Sequence, residues 1–80
     1  DDARIVAVLS DLAARRGRGR TFCPSEAARA LATDWRPLMP AVRRVARDMQ
    51  RRGELQAFRS GQAVDPETTR GPIRLGLPRA

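Results

Sequence analysis

Eighty residues carry sixteen Arg, no Lys, nine Asp or Glu and a formal net charge of +7 at neutral pH. That length supports one core and one domain. With no His, no Tyr and a single Cys, an internal disulfide, a four-ligand zinc framework and most nucleophilic triads or proton shuttles are excluded, and an enzyme is not expected. No apolar run reaches the roughly eighteen residues of a membrane span, and no short apolar leader with a cleavage site opens the chain, which places it by default in the cytoplasm with no membrane partner.

The first helix is expected over about residues 3–16. Ile5, Val8, Leu9, Leu12 and Ala13 recur at helical spacing, Asp1 and Asp2 sit where acids favour a helix start, and Arg15 and Arg16 sit where bases favour its end before Gly17. The following GRGRT reads as a flexible basic connection. A second helix is expected over about residues 24–32, because Pro24 suits the first helical position and Glu26 can reach back to the cap. Pro37 and Pro40 bias Arg36 and Met39 away from helical geometry, so residues 35–39 read as an irregular lead-in, with Trp35 and Leu38 plugging the space between helices.

A third helix is expected over about residues 40–52. Leu38, Val42, Val45, Ala46 and Met49 share one face, and Arg44, Arg47, Asp48 and Arg51 share the other, flanked by Arg43 and Arg52. The charge excess concentrates here: residues 36–52 hold six Arg against one acid. The codon bias of a GC-rich genome accounts for Arg in place of Lys, but it does not account for the clustering. After Gly53, the runs ELQAFR, Val64 and GPIRL suggest two or three short strands over about residues 54–76, with Ser60 and Gly61 in a tight turn and DPETTRG as a loop.

Three helices followed by two or three short antiparallel strands is a mainly α, α+β order, that of a winged helix-turn-helix. The run CPSEAARAL, the pair Trp35-Arg36, MPAVR at Met39 to Arg43, Gly53, Val64-Asp65 and RGPIRL at Arg70 to Leu75 resemble an uncharacterised bacterial family of unknown function assigned to the winged-helix superfamily. The resemblance spans about residues 5–75. It implies that fold and transfers no activity.

Candidate nucleic-acid contacts are Arg43, Arg44, Arg47 and Arg51 on the third helix, with Arg70 and Arg74 flanking the wing. Forked guanidinium groups suit phosphates and guanine edges. The bland reading is a solvated, ion-paired helix face, with Asp48 tied to Arg44 or Arg51 and Asp65 or Glu67 pinning the wing through Arg70 or Arg74. Duplex DNA is favoured over RNA as partner; the alternative is a protein-interaction module or homodimer of the same fold. No cofactor or metal is expected. Cys23 reads as a small buried hydrophobe, Ser25 and Glu26 as capping residues, and Trp35 as a core plug.

Overall fold

The computed structural model describes residues 1–79. Helix α1 spans Asp2–Arg16, with the Asp1 carboxylate accepting the Arg4 N–H at 3.1 Å and Gly17 ending it at φ 81°. Its buried residues Ile5, Leu9 and Ala13 fall four apart, one per turn on a single face. Helix α2 spans Pro24–Leu31, where Glu26 accepts the Cys23 N–H at 3.0 Å, and the Ser25 hydroxyl donates to Cys23 Sγ. Ala27 and Ala28 are fully buried and let the neighbouring helices approach closely.

Between α2 and α3 the chain makes one 3-10 turn, Arg36–Leu38, and α3 runs Met39–Arg51. Met39 is helical, at φ −57° and ψ −44°, despite preceding Pro40. The expected bias against helix is overridden because Pro40 lies in the first turn, where an N–H has no intrahelical acceptor, and the 3-10 turn feeds directly into the helix. Val42, Val45, Ala46 and Met49 of α3 are buried, as their spacing requires. Trp35 and Leu38 are half-buried against the same core.

The strands are β1 Thr21–Phe22, β2 Gln56–Arg59, β3 Gln62–Val64 and β4 Arg74–Gly76, forming one antiparallel sheet of order β1-β4-β2-β3. The expected hairpin exists: Ser60 and Gly61 turn β2 into β3 with φ of 50° and 79°. One strand departs from expectation: Thr21, the last residue of the GRGRT segment expected as a flexible connection, forms β1 together with Phe22. Two residues carry no alternation to read, and their strand geometry comes from pairing with Leu75 and Gly76 more than fifty positions away. Gly76 permits that pairing; a Cβ there would lie 2.9 Å from the Arg20 carbonyl oxygen.

Register sorts the sheet into two faces. Leu75 of β4 pairs with Phe22 of β1 on one side and Ala57 of β2 on the other, and all three are buried toward the helices. Phe58 and Arg74, directly paired, project from the other face. The path from β2 to β4 is the wing, residues 60–73. It runs out as β3 along the outer edge of β2, then folds back over α3 before returning as β4.

Candidate nucleic-acid interface

The basic face of α3 meets this wing. The Arg43 guanidinium donates to three wing carbonyls, those of Pro66, Thr69 and Gly71, at 3.4, 2.9 and 2.8 Å. Arg47 reaches Glu67 at 3.0 Å and places Nε 3.0 Å from an Asp65 oxygen. That second approach is off-line, so the buried Nε–H makes a charge contact without a hydrogen bond. Gln50, one turn further, donates to the Val64 carbonyl. Asp65 is itself held as a turn residue. Burial raises its pKa, but the N–H groups of Glu67 and Thr68 and the nearby Arg47 outweigh that, and it sits below the ordinary carboxylate value.

Arg44 turns away from the wing to α1, where it grips Asp2 with two hydrogen bonds of 3.0 and 2.9 Å. Those bonds, reinforced by the charge of Arg44, hold the Asp2 carboxyl below its ordinary pKa. Two pairings of the alternative, ion-paired reading are therefore corrected. Asp48 forms no ion pair among the described residues: Arg44 is held by Asp2, and Arg51 makes no carboxylate contact. Asp65 and Glu67 pin the wing through Arg47 rather than through Arg70 or Arg74, since the wing folds toward α3 and not along its own base.

Of the six candidate contacts, the structure engages Arg43, Arg44 and Arg47 in the fold. Arg74 is also engaged, donating to the Thr21 hydroxyl at 3.1 Å and the Thr21 carbonyl at 2.9 Å. Arg51 and Arg70 are exposed, with no side-chain partner among the described residues. The candidates are not one cluster: four lie along α3, Arg70 is at the wing and Arg74 is on the far face of the sheet.

Other arginines gather around the aromatic rings. Arg29 and Arg36 each stack over Trp35, at 4.7 and 4.6 Å from the ring centre. Arg79 lies 4.6 Å over Phe58. Phe58 stands between two depressions of the outer sheet face, one lined by Arg20, Thr21, Leu77 and Arg79, the other by Arg59, Pro72 and Arg74. Sequence reasoning did not group Arg20 and Arg79 with Phe58. The alternation in QAFR sets Phe58 opposite Ala57, but the strand register that brings the other residues beside it is invisible in the sequence.

The ionic balance is uneven. Five arginines pair with carboxylates (Arg15, Arg16, Arg44, Arg47 and Arg52). The other eleven of the sixteen make no such contact among the described residues. Arginines bound to carbonyls or rings keep their charge. No group of acidic, His or Cys side chains among the described residues could hold a metal, and no described helix is long and apolar enough to cross a membrane.

Fold and surface together define a small α+β domain in which three helices pack on a wing-bearing antiparallel sheet, with an arginine-rich exterior. The chain matches the family described as "Protein of unknown function (DUF3253)" over residues 2–78, and it belongs to that family. No curated protein matches it.

Proposed function

We propose that this is a cytoplasmic, non-enzymatic nucleic-acid-binding domain of the winged-helix superfamily, with duplex DNA as its preferred partner. The observation that carries the reading is the uncompensated charge: among the described residues, six of the nine Asp and Glu carboxylates are already in ion pairs, a seventh caps α1, and eleven arginines remain without a carboxylate. A polyanion is the partner that such a surface attracts. The element order, with a basic third helix and a wing, supports the same reading.

A second reading, a protein-interaction module or homodimer, is favoured by one observation: the wing occupies the α3 face that a DNA reader of this type would present. Against it, no large hydrophobic side chain among the described residues is exposed, and stable homodimer interfaces are more apolar than ordinary surface. Titration of a labelled mixed-sequence duplex at about 50 and 200 mM salt separates the two readings. The expected outcome is saturable binding that weakens steeply with salt; no binding at either salt, together with a salt-insensitive dimer in sedimentation, defeats it.

A further inference from the structure

We infer that the outer face of the sheet, around Phe58, is the surface on which the nucleic-acid backbone lies; this rests on the nucleic-acid reading above. Arg20, Arg59, Arg74 and Arg79 all line the depressions that flank Phe58. The larger of these is an open groove of about 310 Å³ between the β2–β3 turn and the segment Pro72–Arg74. No Asp or Glu occurs in any of the four strands or among the residues lining either depression. On α3, by contrast, Arg44 and Arg47 are neutralised by Asp2, Asp65 and Glu67, whereas on the sheet Arg59 and Arg74 bond only carbonyl and hydroxyl oxygens, which leave their charge uncompensated. Charge complementarity to a polyanion is therefore better on the sheet than on the helix.

The geometry further points to phosphates rather than bases. Phe58 is only 6% exposed, and the Arg79 guanidinium lies over its ring. A covered ring offers no stacking platform of the kind that single-strand binders use. It does hold a cation flat at the surface. Arg74 is similarly fixed, since Thr21 accepts its Nε–H and one terminal N–H. Its remaining N–H groups and full charge stay available, and such fixed forks lose little side-chain entropy on taking a phosphate oxygen. An acidic peptide would meet the same charges. A nucleic-acid backbone is favoured because the face gathers four arginines with no carboxylate among its lining and offers no exposed large apolar residue to anchor a peptide side chain.

Four phosphates neutralised on a duplex give a log-log salt slope of about −3.6, with little dependence on sequence. The test is fluorescence anisotropy with a short mixed-sequence duplex and three variants: R20Q/R79Q on the sheet face, the charge-matched R4Q/R29Q on α1 and α2, and R51Q on α3. Neither Arg20 nor Arg79 donates a side-chain hydrogen bond among the described residues, and far-UV circular dichroism checks that R20Q/R79Q is folded. R20Q/R79Q should raise Kd about tenfold or more and flatten the slope by about 1.8, while R4Q/R29Q has a distinctly smaller effect. Equal losses in R20Q/R79Q and R4Q/R29Q would reduce the interaction to net charge and overturn the assignment. Loss in R51Q with R20Q/R79Q unaffected would return the contact to α3, overturning the assignment while leaving nucleic-acid binding intact. A wild-type protein that ignores the duplex, including one that binds poly-glutamate instead, overturns both.

Discussion

Arg43 sits where the sequence predicts a phosphate ligand, yet its guanidinium faces the carbonyl oxygens of Pro66, Thr69 and Gly71. These bonds span 23 to 28 positions along the chain and are the main polar link from α3 to the returning arm of the wing. Charge-assisted hydrogen bonds contribute about 1.5–3 kcal/mol where both partners lose water, and the half-buried position of Arg43 puts its value toward the lower end. R43A should therefore cost about 1.5 kcal/mol, lowering Tm by roughly 6–12 °C in a domain of this size. R43K should recover less than half, because an ammonium cannot span the same fork of acceptors. The exposed and unpartnered Arg51 supplies the comparison, with R51A within about 0.5 kcal/mol of wild type. Thermal melts of the three proteins decide it; equal effects of R43A and R51A would remove Arg43 from the fold. Charge clustering along α3 was legible in the sequence, but what each arginine holds was not. Arg44 and Arg47 share a helix face with Arg51, and Arg43 flanks it; only the tertiary path of the wing and of α1 shows which of them are held in the fold.

At the level of elements, the helices follow from local signals and the sheet does not. Ile5, Leu9 and Ala13 in α1, or Val42, Val45 and Met49 in α3, announce a buried face through spacing alone. Their ends are also local, set by Asp1, Pro24 with Glu26, and the glycines at 17 and 53. Strand β1 has no such signal, and its existence depends on β4 arriving between it and β2. The hairpin is the exception among strands, because its turn is written in two residues. Ser60 at φ 50° followed by Gly61 at φ 79° places both central residues in the left-handed region, the geometry that matches the twist of the flanking strands. Gly61 adopts it freely, whereas Ser60 bears a steric cost of order 1 kcal/mol that Asn tolerates better. S60N should therefore stabilise by about 0.5 kcal/mol. Its side chain is exposed, so packing does not oppose the change. Urea titration should show a higher midpoint at unchanged m-value; a lower midpoint would mean that the hydroxyl of Ser60 has a role beyond the turn.

For the molecule as a whole, pH and salt act on one imbalance. Arg16 donates to the Glu26 carboxylate, and Glu26 also accepts from Cys23 N–H, so its pKa lies below the ordinary 4.5. Asp2 and Asp65 are likewise held below their ordinary 3.8. A carboxyl with a depressed folded pKa binds protons more readily in the unfolded chain, so its contribution is complete above the unfolded value and is lost as pH falls through the folded one. The loss here begins below about pH 4.5 and deepens below about pH 3.8. Protonation also removes the negative charges that offset sixteen arginines, on a body only 33 × 25 × 19 Å across. At about 10 mM salt the screening length, near 30 Å, spans that body, and at about 1 M it shrinks to roughly 3 Å. Added salt should therefore raise Tm at about pH 3, where net repulsion dominates. Near pH 7 it should change Tm little, because relief of the +7 excess is countered by weakening of exposed pairs such as Arg44 with Asp2. Melts at about pH 3, 5 and 7 in low and high chloride measure both effects. A Tm that is flat between pH 5 and 3, or that falls with salt at pH 3, would mean that neither the carboxylates nor the arginine excess governs stability. The opposite response of duplex binding, which salt must weaken at every pH, would then separate charge used in folding from charge left over for a partner.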